Sequence, residues 1–308
     1  MLLRVGTRGS RLSLIQTDMV VDKIEKANPT VHVDRTIIST SGDLDKTTPL
    51  FSLNQKGIFE KEVDQSVLNG KVDFAVHSMK DVPALEDSRL VIASVPERGP
   101  VADVLVSRAG RTLANLPDGA RVGTSSMLRA AQLRRVRPGL RAEPIRGNVD
   151  TRVEKVDRGE YDAVILAEAG LARLGLADRI SESLSTVDFM PAPGQGALAI
   201  VARRDNLRLL DILKMVEDSP TRVEVEAERE LVRVLEGGCK VPIGALASAD
   251  RDKVLLTASI LSLDGIRLLI STQTGPVNDP VNIGRAVAEE LLANGAKKLA
   301  ETWRAIDA

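Results

Sequence analysis

Two proline- and glycine-rich interruptions constrain this chain more than any other feature. Pro96-Glu97-Arg98-Gly99-Pro100 and Pro191-Ala192-Pro193-Gly194-Gln195-Gly196 bracket a middle stretch. The pattern of strands and helices restarts after the first and resumes with a strand after the second. Proline and glycine at this density end regular elements. A chain punctuated in this way leaves one domain, builds a second and returns, and hinged pairs of that kind hold ligands in the cleft between them. At 308 residues it has length for two or three domains.

Within this frame strands and helices alternate. Residues 2–5 read as a strand, followed by Gly6-Thr7-Arg8-Gly9-Ser10 and a helical pattern to Ala27, with Ser10 as its N-cap. Further strands are expected at 31–38, 72–76 and 90–95, and a helix at 58–68 that stops at Asn69-Gly70. The middle stretch predicts strands at 103–106, 121–122, near Ile145 and at 163–167, with helices over 125–136 and 148–158. After a strand at 197–201, Ser219-Pro220 opens a last segment with a helix to Leu235, strands at 254–262 and 267–272, and a helix from Val281. This is α/β architecture with largely parallel sheets. The expected domains are 1–96 with 197–216, then 101–190, then 219–308.

Composition removes several function classes. Forty-two basic residues against 43 acidic ones leave no global field for nucleic acid or anionic lipid. Aromatics at 2% give too few rings to stack bases. One cysteine forms no internal disulfide, and with two distant histidines it offers no metal-ligand spacing. Neither an export signal at the start, where Arg4 and Arg8 interrupt, nor a membrane-length apolar run is found. The expectation is a cytoplasmic globular protein.

Three strand-to-helix turns share a composition: Gly6 to Ser10, Gly123-Thr124-Ser125-Ser126 with Arg129, and Arg146-Gly147-Asn148 with Arg152. Helix N-termini offer unpaired N–H groups and the positive end of the dipole, and arginine adds a planar fork matched to carboxylates. Each turn alone reads as ordinary capping. Three together point to a cage for a polyanion. His77-Ser78-Met79-Lys80-Asp81 ends a buried-looking strand, where an adjacent Lys and Asp can serve as ion pair, anion clamp or acid–base machinery; a solvated charged turn is the alternative. His77 reads as a hydrogen-bonded structural residue. Cys239 lies between Gly237-Gly238 and Lys240, where the glycines allow close approach and the lysine favours thiolate, while an inert lone cysteine is the alternative.

Taken together, these segments resemble the hydroxymethylbilane synthase (porphobilinogen deaminase) family. The matching strings are Gly6-Thr-Arg-Gly-Ser10, Lys56-Gly-Ile-Phe59, Val76-His-Ser-Met-Lys-Asp-Val-Pro83, Gly123-Thr-Ser-Ser126, Arg146-Gly-Asn-Val-Asp-Thr-Arg152, Ala169-Gly-Leu-Ala-Arg-Leu-Gly175, Pro193-Gly-Gln-Gly196 and Leu235-Glu-Gly-Gly-Cys-Lys-Val-Pro-Ile-Gly244. They run in family order over the first 245 or so residues. The resemblance implies three domains, the first two like type II periplasmic binding proteins with the active-site cleft between them, the third a smaller α/β domain. It implies a dipyrromethane cofactor joined by a thioether to Cys239, on which four porphobilinogen molecules are joined with loss of ammonia to give hydroxymethylbilane. It assigns the proton and cation chemistry to Asp81 beside Lys80. Arg129, Arg146, Ser126, Thr124, Lys80 and Asp81 would hold the cofactor. Arg8, Ser10, Arg152, Arg173, Phe59 and Gln195 would bind the growing polyanion. A monomer is expected, with its product passed to a uroporphyrinogen-forming enzyme of haem biosynthesis.

Three positions depart from the family pattern. Leu128-Arg129 stands where two arginines are usual, Ser41 where a basic residue is common, and Ala102 where arginine often precedes Asp103. A non-enzymatic anion-binding protein of the solute-binding type would share the hinged fold and the arginine turns but would need neither Cys239 nor Asp81. A nucleic-acid-binding protein is disfavoured by the neutral charge and scarce rings.

Overall fold

The fold comes from a computed structural model that describes residues 1–40, 60–82, 87–236 and 242–299. In chain order the first stretch gives β1 (Leu2–Thr7), α1 (Arg11–Ala27), β2 (His32–Ile37), α2 (Lys61–Leu68), β3 (Phe74–Ser78) and β4 (Leu90–Ser94). The middle stretch gives β5 (Asp103–Ser107), β6 (Arg121–Gly123), α3 (Met127–Val136), β7 (Arg141–Glu143), α4 (Val149–Asp157), β8 (Ala163–Ala167), α5 (Glu168–Arg173) and β9 (Glu182–Ser183). The remainder gives β10 (Leu198–Arg203), α6 (Leu207–Lys214), α7 (Ser219–Glu236), β11 (Ile243–Ala249), β12 (Lys253–Leu261), β13 (Leu268–Pro276) and α8 (Pro280–Ala293). The chain divides into two compact units, 1–99 with 196–222, and 100–195 with 223–308.

The first unit is built on a five-stranded sheet in the order β2-β1-β3-β10-β4. Strands β1, β2 and β3 are parallel, while β10 runs antiparallel to both of its neighbours. Phe74, Ala75 and Val76 of β3 and Ile200 and Val201 of β10 are all buried, as expected of central strands covered on both faces. Val20 and Ile24 of α1 and Leu209 and Leu213 of α6 pack on this sheet. The second unit repeats the plan in the order β7-β6-β8-β5-β9, with β6 parallel to β7 and β8 and β5 antiparallel to β8 and β9. It also holds the antiparallel meander β11-β12-β13, whose core is closed by α7 and α8 through Leu231, Val287 and Leu291.

Two expectations need correction. The sheets are mixed, not largely parallel, because the strand that follows each crossing, β5 or β10, enters antiparallel to its neighbours. The strand expected near Ile145 lies at β7, and Ile145 instead buries its side chain in the turn beyond, against Val164 and Val153.

Candidate active site

In the first unit the functional turns follow the carboxyl ends of β1 and β3, adjacent parallel strands, where α/β sheets present ligand-binding groups. Ser10 caps α1: its hydroxyl accepts the Ser13 N–H at 3.3 Å and donates to the Ser13 hydroxyl at 2.8 Å. Arg8, half-buried, precedes it. Beyond β3 the chain closes a 3-10 turn, Met79–Asp81. The Met79 N–H donates to the Ala197 carbonyl at 3.0 Å, and the Val82 N–H to the Met79 carbonyl at 3.1 Å. Buried Met79 anchors the turn, so Lys80 and Asp81 are held exposed at the strand end. His77 is buried one strand residue earlier and shares a 2.9 Å hydrogen bond between its Nε2 and Asp64 on α2.

Glu60, immediately before α2, was not foreseen. Only 4% of it is exposed. Burial first, then the negative charge of Asp81, pushes its carboxyl up to about 8; Arg8 pulls the other way and Asp64 adds to the rise. Arg8 and Asp81, 73 residues apart in sequence, therefore act on one buried carboxyl group.

In the second unit the arginine turns follow the carboxyl ends of the parallel strands β6, β7 and β8. Ser126 caps α3 by accepting the Arg129 N–H at 3.4 Å, and the Thr124 hydroxyl accepts the Ser126 N–H at 3.2 Å. Gly147 opens α4 at φ +112°, and a Cβ there would sit 2.8 Å from Thr151, so the turn requires glycine. Arg152 Nε donates to the Gly147 carbonyl at 2.8 Å, and Arg146 is half-buried before it. Burial draws Arg173, at the end of α5, below its usual value.

Arg129 is the most constrained of these cations. Its Nε donates to Asp103 Oδ2 at 3.0 Å and its Nη2 to Asp103 Oδ1 at 2.7 Å; further donations reach the Ile165 carbonyl and Gln195 Oε1. Gln195 is fully buried, and its Nε2 donates to Asp103 Oδ1 at 2.7 Å and to the Val101 carbonyl at 2.8 Å. Gln195, expected to bind the growing polyanion, is buried here beside Arg129 and joins it to Asp103. Leu128, where the family pattern has arginine, is buried against Ala131 and Leu261. Arg134 and Arg135 donate to the carbonyls of Leu263 and Ile266. Cys239 and Phe59, as well as Ser41, lie outside the described residues.

Residues 3–211 match the family model for the porphobilinogen deaminase dipyromethane cofactor binding domain, and residues 222–293 match that for the porphobilinogen deaminase C-terminal domain. The chain belongs to the porphobilinogen deaminase family. It is 46% identical to a probable porphobilinogen deaminase of Nitrosopumilus maritimus, over 97% of this chain and 96% of that one. Identity to the porphobilinogen deaminase of Desulforudis audaxviator is 45%, over 98% of this chain and 97% of that one. Among solved structures, a Salmonella typhimurium periplasmic binding protein of high arginine specificity is similar over 72% of this chain and 93% of its own, at 17% identity and a TM-score of 0.40. As a member of the family, the chain is a transferase of tetrapyrrole biosynthesis that forms hydroxymethylbilane, and its cofactor is dipyrromethane.

The residues present suit a group bearing several carboxylates. The turn into α4 combines a helix N-terminus with Arg146 and Arg152, the turn into α3 adds a second N-terminus, and Arg173 ends the helix that follows β8. Among the described residues no cluster of His, Cys, Asp and Glu could hold a metal ion, and no helix is long and apolar enough to cross a membrane. Sequence reasoning overlooked Glu60 and Asp103. Glu60 reads as a helix-start acid, and Asp103 drew notice only as the neighbour of Ala102.

Proposed function

We propose that Asp81 carries the proton and cation chemistry by which this chain joins porphobilinogen units into hydroxymethylbilane. The observation that supports it is the fixed turn after β3, which holds an exposed carboxylate within the electrostatic reach of the same buried group as Arg8. Loss of ammonia from porphobilinogen requires a proton at the amine and then a negative charge beside the electron-poor carbon left behind. One carboxylate serves both needs in turn, first by holding the protonated amine through a hydrogen bond and then by facing the cation that remains. Lys80, next to it, provides a cation for a substrate carboxylate. When bound, dipyrromethane supplies the pyrrole carbon to which the first porphobilinogen is joined.

The acetate and propionate of each pyrrole make the growing chain a polyanion. Arg8 and Ser10 on the first unit, with Arg152 and Arg173 on the second, would bind its carboxylates; Phe59 would pack on a ring. Arg129, Arg146, Ser126, Thr124, Lys80 and Asp81 would hold the cofactor, attached through Cys239. A charge-assisted hydrogen bond contributes roughly 1.5–3 kcal/mol net, so several shared donors can tolerate the loss of one. The chain acts as a cytoplasmic monomer, and its product passes to a uroporphyrinogen-forming enzyme.

The test combines two variants. Asp81→Ala should stay folded with little or no turnover, and near-normal hydroxymethylbilane formation would move the chemistry elsewhere. Cys239→Ser, made in cells that supply porphobilinogen, should show its unmodified mass where wild type carries an adduct. Fully active wild type at its unmodified mass would remove the attachment.

A further inference from the structure

We propose that Glu60 is a positioning residue for the joining reaction, a buried carboxyl group whose charge decides how the Arg8–Asp81 corner receives the carboxylates of porphobilinogen. This rests on the reading that Arg8 binds a substrate carboxylate and Asp81 handles the proton. The geometry begins with α2, whose Val63 and Val67 are fully buried and seat the helix on β1 and β3. A Cβ on Gly6, two residues before Arg8, would lie 3.3 Å from Val63, so the first turn of α2 sits directly against the end of β1. One residue on, Asp64 meets His77 of β3 at 2.9 Å, and the Asp64 N–H donates to the Glu60 carbonyl at 2.8 Å. The helix start is thereby fixed between the turn that bears Arg8 and the turn that bears Asp81.

Among the described residues, the charged groups that act on Glu60 are Asp81 from the β3 turn, Arg8 from the β1 turn and Asp64 from its own helix. Asp64 is met by His77, while Asp81 and Arg8 act on Glu60 in opposite directions. Two carboxylates beside one cation do not both ionise cheaply, and the buried one keeps its proton. Below about pH 8 Glu60 is neutral and adds no negative charge to the corner that bears Arg8, Lys80 and Asp81. Above it a second negative charge answers Arg8 and repels the incoming acetate and propionate. Free carboxylates and alkylammonium groups titrate near 4 and 10, so the substrate itself changes little in this window. Loss of one charged contact corresponds to roughly tenfold or more in affinity.

The experiment uses the cofactor-loaded protein. In wild type, KM for porphobilinogen should rise roughly tenfold as the pH passes through 8, and kcat/KM should fall accordingly. Glu60→Gln, neutral at every pH, should lose that alkaline limb, and Glu60→Asp should retain one. Identical limbs in wild type and Glu60→Gln overturn the proposal. A second readout needs no turnover: infrared difference spectra between pH 7 and 9 should show loss of a protonated-carboxyl band in wild type and not in Glu60→Gln. In Asp81→Asn the same band should disappear at lower pH, since the charge that raises Glu60 has gone, which a merely structural acid would not do. A band that is unaffected by Asp81→Asn, or lost equally in Glu60→Gln, overturns the proposal even if the variants fold poorly. Should Asp81→Ala keep full turnover while the infrared shifts appear, the assignment of Asp81 fails and the coupling of Glu60 to it stands.

Discussion

Arg129→Leu should be costly for two separable reasons, and the structure gives the size of the first. Asp103 is 1% exposed and receives two hydrogen bonds from the guanidinium, with Gln195 as a further donor. Removing the cation leaves a carboxylate in the core with only an amide beside it. Breaking a buried ion pair by deleting one partner costs about 3–5 kcal/mol. With a urea dependence near 3 kcal/mol/M, the unfolding midpoint of this unit should drop by about 1 M or more. Asp103→Leu combined with Arg129→Leu leaves neither charge stranded and should recover most of that loss, a coupling of about 2–3 kcal/mol in a double-mutant cycle. The assay is urea unfolding followed by fluorescence and circular dichroism, with steady-state turnover measured on each variant that remains folded. If Arg129→Leu unfolds at the wild-type midpoint, the ion pair does not stabilise the unit as argued. The double variant separates the second reason. Restored stability with lost turnover assigns Arg129 to carboxylate binding, whereas restored turnover makes it a structural cation only.

Leu128→Arg should lower stability by about 2–4 kcal/mol, because the new charge enters the apolar contact with Ala131 and Leu261; a wild-type melting temperature with a lower KM would show that the side chain escapes to the ligand. Gly265→Ala should cost about 2–4 kcal/mol, since Gly265 has φ +75° and a Cβ there would lie 2.5 Å from the Ala131 carbonyl oxygen and 2.8 Å from the Arg135 nitrogen. Unchanged thermal unfolding would refute that close approach. Glu60 gives a linkage prediction with a definite sign. Its folded value, about 8, lies above the ordinary 4.5, so the native state holds the extra proton and stability falls as pH rises between those values, levelling beyond. The ceiling is about 5 kcal/mol at about 1.4 kcal/mol per unit, and Glu60→Gln should flatten that part of the pH–stability curve relative to wild type.

What the sequence disclosed followed from local signals. The apolar run into His77-Ser78-Met79-Lys80-Asp81 marks a central strand and its exit turn, and Ser10 and Ser126 mark helix starts by their capping chemistry. Strand direction leaves no such mark, so the antiparallel entry of β5 and β10 was not legible from periodicity. Ile145 misled because its apolar side chain belongs to a turn that faces the core, not to the strand before it. The pairing of Asp103 with Arg129 spans 26 residues and that of Gln195 with Asp103 spans 92, and neither distance leaves a local pattern. Glu60 reads as an ordinary acid that favours a helix N-terminus. Only the fold brings Arg8 and Asp81 to it.

The same reasoning accounts for the way the last segment joins the second unit. Residues 190–194, the second crossing, are fastened on three sides. Gln132 of α3 donates to the Met190 carbonyl at 2.8 Å, the Ala245 N–H of β11 donates to the Pro191 carbonyl at 2.9 Å, and fully buried Glu228 of α7 accepts the N–H groups of Gly194 at 2.6 Å and Ala247 at 2.8 Å. A Cβ on Gly244 would come within 2.7 Å of Met190, so β11 can lie this close only with glycine there. A buried acid that accepts one backbone N–H from each segment orders both at once, because withdrawing either takes away one of its donors. On the neighbouring helix, Arg134 and Arg135 hold the β12–β13 turn by its carbonyls while Leu128 meets Leu261. Position 128 is therefore a docking position for the last segment. An uncharged side chain there serves packing within this unit.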